Sequence, residues 1–226
     1  MNMYFRKSLL TLGILSLSLI AGAQKKKKET AASSTGFEGT IVYTIELNSD
    51  GLPPETKQMF AGSEMTVTMK GDKSRTDLKM GPQATTAVAD AKAKTSFTLL
   101  DIMGQKYKVV TKVDEKPANL TIKELPETKE IAGYTCKKAE VTSPASPDPI
   151  TVYYTEKIGN NGYNTQIKGI KGYPLAFEIN QSGVKISYNA KSVSTEKVMD
   201  SKFDVDCTGY KEITQEELMK SMGGGQ

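Results

Sequence analysis

Met65-Thr66-Val67-Thr68-Met69-Lys70-Gly71-Asp72-Lys73-Ser74-Arg75-Thr76-Asp77-Leu78-Lys79-Met80 is the stretch that decides the architecture. Met65, Val67 and Met69 alternate with Thr66, Thr68 and Lys70. After Gly71-Asp72-Lys73 the alternation resumes, with Arg75, Asp77 and Lys79 set against Thr76, Leu78 and Met80. A period of two sends successive side chains to opposite faces of a strand, so each half is a strand with one apolar face. The Gly-Asp connection between them is hairpin chemistry.

The same signal extends in both directions. Over 40–47, Ile41, Tyr43, Ile45 and Leu47 share one face. Further strands are expected over 84–89, 95–101, 106–111, 119–125, 129–142, 150–156, 175–180 and 184–194. Turn signals separate them at Met103-Gly104-Gln105, 114–117 and Gln181-Ser182-Gly183. Short strands with hairpin-length gaps predict a mainly β fold built on one antiparallel sheet, curved or partly closed. No strand–helix–strand alternation favours a parallel sheet. The Pro-rich break at 143–149 lies between strands of one kind and reads as a long hairpin loop, and the Gly-rich 159–172 as an irregular one. Residues 37–222 therefore form a single β-rich domain.

Two short helices are expected. Pro53-Pro54-Glu55 opens one, with Met59 and Phe60 as its apolar residues and Gly62 as its stop. At the C-terminus, Thr214 and Glu217 have capping-box spacing, and Ile213 and Leu218 are placed for a hydrophobic staple. Leu218 and Met222 share a face of this helix, with Met219 beside them, and 223–226 is an unstructured tail.

The N-terminus reads as a delivery segment. Arg6 and Lys7 precede an apolar run over 9–20, and Ala21-Gly22-Ala23 supplies the small residues of a cleavage site. This is the pattern of a secretory signal peptide, 1–23, too short to span a membrane. It places the mature protein in the periplasm of a Gram-negative envelope or outside the cell. No Cys follows the run, so lipoprotein processing is not expected. Residues 24–36, with four consecutive lysines at 25–28, form a flexible tether. No later apolar stretch is long enough to span a membrane.

Composition removes several chemistries. There is no His, so no Ser-His-Asp triad, Cys-His dyad or His-ligated zinc can form. A net charge of +4 over 226 residues is not that of a nucleic-acid binder. No dinucleotide-binding, P-loop, nucleophile-elbow, CxxC or EF-hand pattern occurs. No catalytic residue, metal site or cofactor is expected. The two cysteines, Cys136 and Cys207, fall in the exported part, and an even count there favours a disulfide. The alternative is two unpaired thiols in strands.

Certain strings carry a family resemblance. Phe37-Glu38-Gly39-Thr40-Ile41-Val42-Tyr43 opens the domain, followed by Met69-Lys70-Gly71-Asp72-Lys73-Ser74-Arg75 and Lys129-Glu130-Ile131-Ala132-Gly133-Tyr134-Thr135-Cys136-Lys137-Lys138-Ala139. Val152-Tyr153-Tyr154-Thr155 and Gly172-Tyr173-Pro174-Leu175 come after them. In this order they resemble an uncharacterised family of exported bacterial proteins. That family is similar to the LolA/LolB-like superfamily of periplasmic lipoprotein carriers. The resemblance implies a strongly curved antiparallel sheet, a half-open barrel, with one or two short helices on its concave side. It implies an apolar cavity. The first reading is a protein that holds a lipid or other hydrophobic ligand there, with a wall drawn from Ile41, Tyr43, Met65, Val67, Met69, Phe97, Leu99 and Phe177 and with Met59 and Phe60 as a lid. The alternative is an envelope interaction or stress-response module whose barrel is filled by its own side chains. A hydrolase is the third reading.

Overall fold

The computed structural model describes residues 37–48, 52–102, 104–112, 120–143, 146–160, 167, 169–181 and 183–221. The expected leader, tether and tail, together with Met222, lie outside the described residues. Chain order runs β1 Glu38–Leu47, α1 Pro54–Met59, β2 Glu64–Lys70, β3 Lys73–Met80, β4 Gln83–Asp90, β5 Thr95–Ile102 and β6 Gln105–Lys112. It continues with β7 Thr121–Ile131, β8 Tyr134–Ser143, β9 Ser146–Thr155, β10 Tyr173–Gln181 and β11 Val184–Ser194. A 3-10 turn at Asp200–Phe203, β12 Lys211–Thr214 and α2 Gln215–Ser221 complete it.

All twelve strands belong to one sheet, ordered β12-β6-β5-β4-β3-β2-β1-β11-β10-β9-β8-β7. Chain length requires this sheet to curl. β6 and β7 are ten strand intervals apart, about 48 Å if the sheet were flat. Lys112 and Thr121 are nine residues apart and can be separated by at most about 32 Å. The sheet does not close, because β7 and β12 are its two edges. The expected half-open, mainly β architecture is therefore the one observed.

The strand expected over 129–142 is corrected, the long hairpin loop expected over 143–149 gives way to β9 from Ser146 onward, and one strand, β12, was not expected. The stretch 129–142 is not one strand. Ala132 and Gly133 both take positive φ, 50° and 82°, and form the two-residue turn between β7 and β8. β7 instead begins at Thr121 and continues through Pro126, where its pairing with β8 shifts register between Leu125 and Thr128. Proline is tolerated there because β7 is an edge strand and the bulge needs no ladder donor at that point. The unexpected strand is β12. Four residues are too few to show alternation, and β12 pairs in parallel with β6, matching Ile213 to Val109.

Paired residues on neighbouring strands share a face, so the register assigns every side chain to one side of the sheet. Ile41, Tyr43 and Ile45 lie on the concave side with Met65, Val67 and Met69, and with Leu78 and Met80 of β3. Val141, Val152, Phe177, Ile186 and Tyr188 join them from β8–β11 to form one large apolar cluster. Ile158, Ile167 and Ile170, from the connection between β9 and β10, pack into the same cluster. At its neck the chain is tight: a Cβ on Gly172 would stand 2.2 Å from the Thr155 carbonyl oxygen. A second, smaller cluster holds Leu100, Val109, Ile213 and Leu218, where α2 covers β5, β6 and β12.

The opposite, convex face carries a strap. After β11 the chain crosses β1–β3 on that side before reaching β12. The Glu38 carboxylate accepts the Val198 N–H at 2.7 Å, and Lys70 donates to the Val198 carbonyl at 2.9 Å. Lys70 also pairs with Asp200 at 2.9 Å. Arg75 makes a bidentate pair with Asp77 and gives a third bond, 3.0 Å, to the Lys202 carbonyl. Val198 and Phe203, both residues of the strap, are buried. The Gly-Asp-Lys-x-Arg string of the sequence thus makes a hairpin turn and a strap anchor.

Candidate functional site

The concave face is where a ligand could be held, and its lining is uneven. β3 contributes Leu78 and Met80 to the large cluster, and β5 and β6 contribute Leu100 and Val109 to the small one. Between them, β4 places Gln83, Thr85, Ala87 and Ala89 on that face, opposite Met80, Leu78, Thr76 and Ser74 of β3. On its other side Ala87 faces Thr98 and Ala89 faces Ser96. No large apolar side chain of β4 points inward, so the apolar lining is interrupted by a strip of small, partly hydroxylated residues.

Seven of the ten residues expected to wall the cavity come together. Ile41, Tyr43, Phe60, Met65, Val67, Met69 and Phe177 all belong to the large cluster. The other three do not. Phe97 and Leu99 pair with Val88 and Thr86 and so point to the convex side. Met59 is 52% exposed at the end of α1 and forms no part of the wall. Phe60 is buried at the α1–β2 corner, where a Cβ on Gly81 would come within 3.2 Å of its ring. Ser63 fastens this corner. Its hydroxyl donates to the Phe60 carbonyl at 2.7 Å and accepts the Gly81 N–H at 3.2 Å.

The expected disulfide is also corrected, since both cysteines are free thiols. Cys136 sits on β8, buried in the large cluster, where loss of solvent pushes its thiol up to about 11. Cys207 lies at the far end of the strap, before the opposite edge strand, and its thiol approaches the Val205 carbonyl. Cys136 lies next to one end of the strand order, and Cys207 leads into β12 at the other.

Interior tyrosines supply the polar atoms of the large cluster. The Tyr43 hydroxyl donates to the Pro174 carbonyl at 2.7 Å, and that of Tyr154 to Glu124 at 3.1 Å. Tyr188 stacks on Phe177 with ring centres 4.6 Å apart, and Tyr43 meets Phe177 edge-on. Burial raises Tyr43 and Tyr173 well above the usual phenol range and Tyr154 and Tyr188 to about 12. The alternation of Ile186, Tyr188 and Ala190 within the 184–194 stretch was the available sign that Tyr188 faces inward.

Chemistry at the carboxylates is superficial. Hydrogen bonds from Lys138 to Glu127, from Lys70 to Asp200 and from Thr208 to Asp206 hold those acids below their usual range. The Thr214 backbone does the same for Glu217. All four are surface groups. Among the described residues no charged side chain is buried, and no three His, Cys, Asp or Glu residues are grouped to hold a metal ion. No described helix is long and apolar enough to cross a membrane.

No family model matches the sequence, and no curated protein matches it. The carrier superfamily suggested by the sequence strings is thus not reached through a family match. Solved structures share the fold at a distance. PNGF-II superposes in two crystal forms with TM-scores of 0.56 and 0.52, at 15% and 18% identity. The matches cover 83% and 81% of this chain but 34% and 32% of that one, so the chain spans about a third of the length of PNGF-II. An uncharacterized conserved protein from Thermus thermophilus gives a TM-score of 0.44 at 10% identity, covering 79% of this chain and 91% of its own. LprF from Mycobacterium bovis gives 0.32 at 15% identity, covering 74% and 89%. At these identities the PNGF-II likeness establishes fold alone.

Proposed function

We propose that the protein is an exported, non-enzymatic binding protein that takes an elongated apolar ligand, such as a lipid, onto the concave side of its curled sheet. One observation carries this reading: the apolar lining of the concave face is broken at β4, where only Gln83, Thr85, Ala87 and Ala89 face inward. A sheet filled solely by its own side chains would place large apolar residues at these positions, because interiors pack to high density. Small residues between two apolar clusters leave room for a chain lying across the strands. The leader-like pattern of residues 1–23 supports export.

Native mass spectrometry of protein purified from its own envelope should show a co-purified lipid, and a fluorescent apolar probe such as N-phenylnaphthylamine should bind the folded protein. Ala87→Leu, which fills the strip, should leave the fold intact and abolish probe binding. A second reading, an interaction module without ligand, is favoured by the tight packing of Ile41, Tyr43 and Val67, none more than 2% exposed. Absence of both lipid and probe binding would establish that reading in place of the first.

A further inference from the structure

Among the described residues, one buried side-chain polar atom has no hydrogen-bond partner: the Tyr188 hydroxyl. Its residue is 1% exposed and lies on the concave face of β11, paired with Ile45 of β1 and Phe177 of β10. Neighbouring interior phenols are differently placed. Tyr43 donates to Pro174 and Tyr154 to Glu124, so their hydroxyls are satisfied within the fold. A phenylalanine at 188 would keep the stacking on Phe177 and avoid desolvating an unpaired hydroxyl. The hydroxyl therefore has a cost in this conformation and no offsetting bond.

We propose that the Tyr188 hydroxyl is the inner polar contact for the ligand, which is an acyl ester or similar amphiphile rather than a plain hydrocarbon. This rests on the binding function proposed above. β11 is four strand intervals from β4, about 19 Å along the sheet, so a chain lying across the strands from the β4 strip spans that distance, and the hydroxyl then donates to a carbonyl or hydroxyl oxygen of that ligand. Such a contact discriminates sharply, because a ligand lacking the oxygen leaves the phenol unpaired as before.

The test compares wild type and Tyr188→Phe with two probes, 1-monolauroylglycerol and dodecane, each competing against N-phenylnaphthylamine, alongside urea unfolding. The variant should unfold at an equal or higher urea midpoint, bind the glyceride about three- to tenfold more weakly and bind dodecane unchanged. Equal glyceride affinity in the two proteins overturns the proposal. So does a lowered unfolding midpoint, which would mean that the hydroxyl has a partner in the free protein. Wild type that binds neither probe overturns the binding function as well, a failure visible before the variant is made.

Discussion

The Tyr43 hydroxyl donates to the Pro174 carbonyl across the core, from β1 to β10, at 2.7 Å. Tyr43→Phe removes that bond and leaves a buried acceptor unpaired, so it should cost about 1–3 kcal/mol in urea unfolding. The thiols make a second test. Unreduced, denatured protein should release two titratable thiols per chain, because both cysteines are free. In native protein only Cys207 should react promptly with a thiol reagent, since Cys136 is buried and its thiolate disfavoured. One thiol or none after denaturation would restore the disulfide. At this scale the sequence was readable where one face of a strand is apolar and the other polar, as in Met65-Thr66-Val67-Thr68-Met69. It was not readable in Phe97-Thr98-Leu99-Leu100, where both faces carry apolar residues and only pairing with β4 and β6 separates them.

The elements differ in how far local sequence determines them. The capping box at the start of α2 forms as read. Glu217 accepts the Thr214 N–H at 2.7 Å, and the Glu217 N–H returns to the Thr214 hydroxyl at 3.2 Å. Thr214→Ala should therefore cost about 1 kcal/mol and lower the melting temperature, with Leu218 and its small cluster loosened first. The strap could not be foreseen, because its fastenings join residues more than a hundred positions apart and 195–210 has no periodicity of its own. Arg75 is its most informative residue. Arg75→Gln removes the bidentate hold on Asp77 and the bond to the Lys202 carbonyl. Amide exchange at Lys202 and Asp204 should then quicken while that of β1 and β2 is unchanged. Unaltered exchange at the 3-10 turn would show that burial of Phe203 alone secures the strap.

The curl follows from strand order together with a short connection, and neither is local. Hairpin spacing in the sequence implied an antiparallel sheet, but not that β1 would join two meanders or that β6 and β7 would lie far apart along it. The β4 strip was equally hidden, since Thr85, Ala87 and Ala89 look like an ordinary weak strand until their neighbours are known. What the curl encloses sets a property of the whole molecule, its response to alkali. Cys136 is raised from 9.0 to about 11, and Tyr154 and Tyr188 from 10.0 to about 12. Each folded-state value exceeds the unfolded one, so between the two the native state binds more protons and stability falls as pH rises. The contribution of these groups is complete below pH 9 and declines from there to about pH 12, with Cys136 first and the tyrosines following. A group held fully protonated through such a window removes up to about 1.4 kcal/mol per pH unit. Urea unfolding from pH 7 to 11.5, with tyrosinate absorbance recorded in parallel, should show a plateau and then a steepening loss. The share of tyrosinate that comes from the buried Tyr43, Tyr154, Tyr173 and Tyr188 should appear together with unfolding rather than before it. Tyr188→Phe should flatten the upper part of the decline, and tyrosinate forming fully in the folded protein near pH 10 would contradict the burial that the sheet imposes.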